Sequence, residues 1–164
     1  HPTCSRLSDL IHQTAQEIGI DTVLGGTYLA MEGPQFSTCA ESEMYRSLNC
    51  DVIGMTNIPE AKLAREAEMC YTSIAMVTDY DCWHPEHDHV TTQQIIKTLS
   101  ENAANAQTLL KNIIPRIHSD SSAPACSCRF ALDNAIITPP ASRDPEIVLK
   151  LSAVAGRVFK NGKP

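Results

Sequence analysis

The amino-acid sequence predicts an α/β fold in which a layered, mixed β-sheet is flanked by helices. Short apolar, β-branched segments alternate along the chain with longer segments whose apolar residues recur every three or four positions. The strand-like segments are apolar along their length, as expected when helices cover both faces of a sheet. No repeat or second domain shows in the 164 residues. We therefore predict one layered domain.

The first part of the chain begins with a helix. Apolar residues from Leu7 to Ile18 recur at helical spacing, and Gly19 is a natural stop. Residues 20–32 then have extended character. Thr38 followed by Glu41 fits a capping box, which predicts that the next helix begins near Thr38.

The middle of the chain repeats this alternation. The segment DVIGM, residues 51–55, is typical of a short buried strand. Asn57 starts a helix that tolerates Pro59 in its first turn and that we expect to end near Glu68. Residues 70–78 are apolar and β-branched, which predicts a further strand before a polar loop.

The last part of the chain is predicted to be mostly helical. The pattern TTQQ, residues 91–94, resembles another capping box, and an apolar stripe follows it. That stripe is formed by Ile95, Leu99, Ala103, Leu110 and Ile113. Pro115 is expected to stop this long helix. Residues 117–128 are typical of a flexible loop, and residues 132–137 suit a short helix or a docking segment. Residues 143–159 are predicted to form a final helix with Ile147, Leu151 and Val158 on one side.

Composition and charge exclude several functions. The net charge of −6 argues against binding to a nucleic-acid backbone, which requires a basic surface. No apolar run approaches the ~20 residues that span a bilayer, so we expect no membrane association and a cytoplasmic location. The seven cysteines are odd in number and scattered, which indicates thiols rather than a secreted disulfide scaffold.

Three junctions between a strand and a helix contain residues suited to binding. In EGPQFST, residues 32–38, Phe36 offers a ring face and Ser37 a hydroxyl, unless Phe36 packs in the core and Ser37 helps to cap a helix. In GMTNIPE, residues 54–60, Thr56 lies at a helix start that favours an anion, unless it forms a simple turn.

The third junction is TDYDCW, residues 78–83. Asp79 and Asp81 are two residues apart on an extended segment, so their carboxyl groups point the same way. In a partly closed pocket one of them would stay protonated, because the two charges repel each other. It would then donate a proton to a leaving group. The alternative is a pair of solvated loop acids.

Two further patterns suggest metal binding, although weakly. HPEHDH, residues 84–89, has flexible spacing and no matching partner elsewhere, which favours a solvated loop. Cys126-Ser127-Cys128 is a close pair in a loop rich in Ser, Pro and Ala. No second close pair of cysteines completes a zinc site, so the simpler interpretation is that these are two thiols in a mobile loop. A metal-binding module remains an alternative.

Three stretches together resemble a known family. EGPQFSTCAESEMYR, CDVIGMTNIPEAKLAREAEMCY and IAMVTDYDCW are similar to 5′-methylthioadenosine phosphorylases, in the trimeric branch of the purine nucleoside phosphorylase family. The resemblance runs nearly continuously from about Cys4 to Pro115, and RFALDNAIITPP is similar to the C-terminal segment of bacterial members. It implies a nucleoside phosphorylase fold and phosphorolysis of 5′-methylthioadenosine to adenine and 5-methylthioribose 1-phosphate, in methionine and purine salvage.

The resemblance also implies a role for each site residue. Asp79 would protonate or hydrogen-bond N7 of adenine, and Asp81 would hold its 6-amino edge. An acid at position 79 favours aminopurines, because relatives that prefer 6-oxopurines carry Asn there. The other residues expected in the site are Phe36 against the base, Ser37 and Thr78 in the base pocket, Met55 at the ribose, Thr56 at the phosphate, and Thr92 and Ile95 near the 5′-methylthio group.

The same resemblance implies which components the enzyme needs. No metal or organic cofactor is expected, and inorganic phosphate is a co-substrate. Family members are longer, so we expect residues 1–164 to be the C-terminal portion of one domain, with the N-terminal portion on a second chain and the complete unit forming a trimer. Gln35 and Cys39 stand where many members have Arg. Another nucleoside phosphorylase, or a module that binds nucleoside without catalysis, remains an alternative.

Overall fold

The computed structural model describes residues 1–84 and 92–160. Its five helices are α1 (Ser5–Glu17), α2 (Cys39–Ser47), α3 (Asn57–Glu66), α4 (Thr92–Ser119) and α5 (Pro145–Lys160). Its two strands are β1 (Tyr28–Ala30) and β2 (Val52–Gly54), and short 3₁₀ helices span Ala123–Ala125, Ser127–Phe130 and Pro140–Ser142. Helices and strands therefore alternate along the first part of the chain, as predicted.

The two strands form a small parallel sheet. Tyr28 pairs with Val52 and Ala30 with Gly54, so that both strands run in the same direction. Helix α2 makes the crossover between them. Thr38 starts α2 with the predicted capping box, because its hydroxyl accepts from the Glu41 N–H and the Glu41 carboxylate accepts from the Thr38 N–H.

The best-packed part of the core lies between α1 and α4. Thr14 and Ala15 of α1 are buried, as are Leu109 and Ile113 of α4. The predicted apolar stripe on α4 is only partly correct, because Leu99 and Leu110 are about half exposed. On α5, Val158 is buried, but Ile147 and Leu151 remain exposed.

The strand predicted over residues 70–78 is not observed. Among the described residues no strand pairs with this segment, and its side chains are exposed by 40% at Ile74, 52% at Met76 and 58% at Val77. An apolar segment becomes a strand only when neighbouring strands accept its backbone hydrogen bonds. Here the segment is instead held to helices, through Asn57 of α3 and Asn102 of α4.

Pro115 does not stop α4, which continues to Ser119. Tertiary contacts explain the extension. Arg116 donates a hydrogen bond to the hydroxyl of Thr14 over 3.0 Å and pairs with Glu17, so the last turn of α4 is fixed against α1. These contacts offset the hydrogen bond that proline cannot donate.

The segment between α4 and α5 is more ordered than predicted. Residues 123–130 contain two 3₁₀ helices rather than a flexible loop. Residues 131–135 form turns rather than a helix, and they dock on the segment that follows α3, because the Leu132 N–H donates to Glu68 over 3.0 Å. The docking alternative is therefore the correct one.

Within the described residues, no helix is both long enough and apolar enough to cross a membrane.

Candidate functional site

The carboxyl ends of β1 and β2 lie at the same edge of the sheet because the strands are parallel. The Met31 N–H donates to the Gly54 carbonyl over 2.9 Å and so continues the pairing one residue beyond β1. Segments 32–38 and 54–60 leave the sheet from this edge. In open α/β sheets ligands gather at such edges.

A glycine lets the first two junctions touch. Gly33 has a φ of +71°, and a Cβ atom at this position would lie 2.5 Å from the Met55 sulfur. Any larger residue would therefore face both a strained backbone and a steric clash. Met55, predicted to contact ribose, is half-buried and packs on this turn.

Phe36 does not pack in the core. Its side chain is 85% exposed, which rules out that interpretation and leaves both ring faces open. Ser37 is half-buried, and its hydroxyl lies 3.7 Å from the sulfur of Met31. A planar apolar ligand would therefore find an aromatic surface directly before the N-terminus of α2.

Thr56 precedes α3 and is exposed. Its side chain makes no capping hydrogen bond to the helix. The hydroxyl is therefore not used in the local turn that was the alternative interpretation, and it remains available to an anion. Ile58 has extended backbone angles, with φ −119° and ψ 130°, so the regular turns of α3 begin only after it.

The third junction lies against the first. The Cys82 thiol lies 3.6 Å from the carbonyl oxygen of Ser37 and donates to it. Partial desolvation and the charge of Asp81 raise the pKa of the Cys82 thiol, which keeps the proton that it donates. The segments TDYDCW and EGPQFST are therefore neighbours in space.

The two aspartates differ in their local contacts. The Thr78 hydroxyl donates to one carboxylate oxygen of Asp79 over 2.6 Å, and Asp79 is exposed. Asp81 is half-buried, and one of its oxygens accepts from the Cys82 N–H over 2.9 Å. Each carboxyl group also has a second oxygen, which accepts from a ligand donor when the group is ionised and donates to a ligand acceptor when it is protonated.

Two asparagines anchor the segment that leads to the aspartates. The side-chain oxygen of Asn57 accepts from the Tyr71 hydroxyl over 2.7 Å and also from the Ser73 hydroxyl. The side-chain nitrogen of Asn102 donates to the Val77 carbonyl over 2.8 Å. Because Asn57 directly follows Thr56, the second and third junctions share a support.

An aromatic cluster that the sequence did not predict follows the aspartates. The Arg46 guanidinium of α2 lies 3.7 Å from the ring centroid of Trp83. Tyr80 stacks on His84 at 4.7 Å between centroids and meets Trp83 edge-on at 5.9 Å. A cation over an aromatic ring attracts it electrostatically, so Arg46 ties this loop to α2. The sequence signal that could have predicted this cluster is the single tryptophan, which comes directly after the two aspartates.

The predicted 5′ end of the site is less complete. Ile95 is half-buried in the first turn of α4. The side chain of Thr92 lies outside the described part of the chain, as do residues 85–91, which include most of HPEHDH.

A second group of polar side chains lies elsewhere. The sulfur atoms of Cys4, Cys70, Cys126 and Cys128 lie within 4.8 Å of one another. Burial raises the pKa of Cys4 to about 12, whereas the hydrogen bond from the Cys128 N–H lowers the pKa of Cys126 to about 6. Cys4 and Cys70, distant in sequence, are thus the partners that the Cys126–Cys128 pair was expected to lack.

A cavity of about 290 Å³ borders this cysteine cluster rather than the three junctions. It is lined by Arg6, Glu68, Cys70, Ala123, Arg129 and Arg157. Arg157 is committed to Glu68 and Asp133 through contacts of 2.5 Å, so the cavity is held together by internal ion pairs.

Comparison with known proteins gives consistent relatives. The model of the family described as "Phosphorylase superfamily" matches residues 1–115. S-methyl-5′-thioadenosine phosphorylase of Cereibacter sphaeroides is 56% identical over 160 residues, which are 98% of this chain and 55% of the relative. The protein of the same name from Rhodospirillum rubrum is 51% identical and covers 97% of this chain and 54% of its own.

Solved structures agree in fold. A crystal structure of methylthioadenosine phosphorylase from an Antarctic soil metagenomic library superposes with a TM-score of 0.85 at 40% identity, covering 93% of this chain and 54% of the other. Methylthioadenosine phosphorylase from Schistosoma mansoni in complex with adenine superposes with a TM-score of 0.70 at 28% identity. The match covers 80% of this chain and 52% of the other. The chain therefore spans about half the length of the relatives that it matches.

Proposed function

This chain belongs to the phosphorylase superfamily, and on that premise we propose that it forms the C-terminal portion of an enzyme that cleaves 5′-methylthioadenosine with phosphate. The observation that carries the proposal is identity of 56% across nearly the whole chain with an S-methyl-5′-thioadenosine phosphorylase. The contacts among the three junctions support it, because they gather the residues that such a reaction needs.

In the proposed reaction a phosphate oxygen attacks C1′ of the nucleoside and the bond from C1′ to N9 breaks. The electron pair of that bond goes to adenine, which leaves poorly unless its imidazole ring accepts a proton or a strong hydrogen bond. Asp79 enters the step as the protonated carboxylic acid, donates its proton to N7 and is left as the carboxylate. General acid catalysis of this kind contributes roughly 10²- to 10⁴-fold in rate. The products are adenine and 5-methylthioribose 1-phosphate.

The proposed base pocket uses the first and third junctions. Phe36 lies against the purine ring, since its faces are open. Ser37 and Thr78 line the pocket, and Asp81 accepts from the 6-amino group through its second oxygen. The contact from Cys82 to the Ser37 carbonyl holds the two sides of the pocket together.

The proposed sugar and phosphate positions use the second junction and α4. Met55 packs below the ribose, next to Gly33. Thr56 donates its uncommitted hydroxyl to phosphate at the N-terminus of α3. Thr92 and Ile95 approach the 5′-methylthio group. This reaction requires neither a metal nor an organic cofactor.

We further propose that a complementary polypeptide carries the N-terminal portion of the fold, and that the complete unit is a cytoplasmic homotrimer. Exposed apolar side chains support a large covered surface, because isolated proteins rarely leave so many uncovered. These include Val23 at 94%, Ile137 at 90% and Leu149 at 74% exposure. The S-methyl-5′-thioadenosine phosphorylase relative also supports this proposal, because this chain matches only 55% of its length.

The proposal is tested by assaying the native assembly, after intact-mass analysis has identified its chains. We expect phosphate-dependent release of adenine from 5′-methylthioadenosine, with much slower reaction of inosine. Release without phosphate would indicate a hydrolase, and a preference for inosine would indicate another phosphorylase. Binding of adenine without turnover would indicate a non-catalytic module. Turnover by this chain alone would contradict the complementary polypeptide.

A further inference from the structure

Four cysteines from three separate parts of the chain converge on one point. The sulfur of Cys126 lies 3.5 Å from the sulfur of Cys4 and 3.5 Å from that of Cys70. Together with Cys128, all four sulfur atoms lie within 4.8 Å of one another. We propose that these four thiolates bind one Zn²⁺ ion, which stabilises the fold rather than taking part in catalysis.

The separations suit a tetrahedral zinc ion. Zinc–thiolate bonds of about 2.3 Å place neighbouring sulfur atoms about 3.8 Å apart in a regular tetrahedron. The observed separations, from 3.5 Å to within 4.8 Å, include that value. A pair of disulfides would instead draw the sulfurs together two by two, to about 2.05 Å. The convergence of all four on one centre favours a single ion.

Neither of the two cysteines at a helix N-cap, Cys4 and Cys126, uses its sulfur to cap the helix. Cys4 occupies the N-cap position of α1, but its side chain makes no capping hydrogen bond. Its N–H donates to the carbonyl of Tyr71 over 2.7 Å, which fixes Cys4 beside the neighbouring Cys70. Cys126 and Cys128 flank the start of the 3₁₀ helix Ser127–Phe130, whose tight turn lets both sulfurs face one side despite the short spacing.

Two arginines balance the charge of the proposed site. A dication with four thiolates carries two net negative charges, and second-shell donors commonly stabilise such centres. The Arg6 guanidinium donates to the sulfur of Cys70 over 3.4 Å, and the Arg65 guanidinium donates to that of Cys128 over 3.5 Å. An ion pair with Asp120 holds Arg6 in place.

The proposed zinc centre is closed, and it shares no residue with the proposed purine site. Cys4 and Cys128 are buried, and four protein ligands leave no position for substrate. None of the four cysteines is among the residues proposed to bind nucleoside or phosphate. The zinc site therefore holds or fails independently of the phosphorylase activity.

The test begins with the unmodified protein in its native assembly, purified under reducing conditions without chelator. We expect elemental analysis to find one zinc per chain. After exchange with Co²⁺, we expect the visible absorption bands of a tetrahedral cobalt–thiolate centre. Cys126→Ser should lose the bound metal and these bands. Cys50→Ser, which alters a cysteine outside the cluster, should retain both.

The unmodified protein decides the question even if Cys126→Ser fails to fold. Absence of zinc together with absence of the cobalt bands would overturn the proposal. So would peptide mapping of protein purified without reductant that found the four cysteines paired in disulfides, because a disulfide sulfur is no longer a thiolate ligand. Retention of zinc by a folded Cys126→Ser variant would also overturn it.

Discussion

Asp79 is the residue on which the proposed chemistry depends. It lies at the end of a segment that Asn57 and Asn102 fix to two helices, and the Thr78 hydroxyl holds one of its oxygens. The other oxygen is available to a base that rests on Phe36. Position 79 therefore combines a fixed backbone with a carboxyl group that can reach a ligand.

We expect Asp79→Asn in the complete assembly to lower kcat for 5′-methylthioadenosine by roughly 10²- to 10⁴-fold, because an amide cannot donate the proton that adenine needs. The measurement is steady-state adenine release at saturating phosphate. Asp9→Asn is the matched control, since Asp9 is an exposed acid on α1. Equal rates for Asp79→Asn and the unmodified protein would remove this residue from the mechanism.

At the scale of single residues, the sequence predicted the junctions well and their surroundings poorly. Gly33 occupies, with a positive φ, the turn that its residue type favours, and Thr56 directly precedes α3 as expected. The contact between Arg46 and Trp83 was not predictable, because it joins residues far apart in sequence. The partners of Cys126 were missed for the same reason, since Cys4 is 122 positions away.

At the scale of the elements, the contact between α5 and the segment just after α3 has the strongest electrostatic support. Two guanidinium nitrogens of Arg157, Nε and Nη2, donate to the Glu68 carboxylate over 2.6 and 2.5 Å. These hydrogen bonds hold the pKa of Glu68 below its usual value of 4.5. The depressed pKa means that the pair stabilises the folded state above pH 4.5 and loses this contribution as the pH falls through the lowered value.

We therefore expect Glu68→Gln to lower the free energy of unfolding by roughly 1–3 kcal/mol at neutral pH, as for other hydrogen bonds to charged groups. The difference from the unmodified protein should shrink as the pH falls below 4.5. Urea unfolding at several pH values measures both effects. Glu66→Gln is the matched control on the exposed side of α3. A difference that stayed constant with pH would show that charge is not the cause.

The elements that local signals specify were predicted correctly. The capping box at Thr38 and the stop after α1 are both observed, because adjacent residues alone determine them. The failures lie where distant contacts decide the outcome. Pro115 stays helical because Arg116 is fixed to α1, and residues 70–78 form no strand because no strand among the described residues pairs with them.

At the scale of the whole molecule, the sequence established the α/β class and the family, and the comparisons confirm both. Burial was overestimated. The apolar faces of α4 and α5 and the segment 70–78 were predicted to be covered, yet Leu99, Leu151 and Val77 are substantially exposed. Apolar periodicity identifies a face that is suited to burial, but it does not identify what covers that face.

The central claim is that Asp79 meets the imidazole edge of adenine inside the assembled enzyme. The most direct measurement is an experimental structure of the native assembly with adenine and phosphate bound. We predict a carboxylate oxygen of Asp79 within hydrogen-bonding distance of N7 and the purine ring against Phe36. Adenine bound away from Asp79, or turned so that its six-membered ring faces that side chain, would contradict this account.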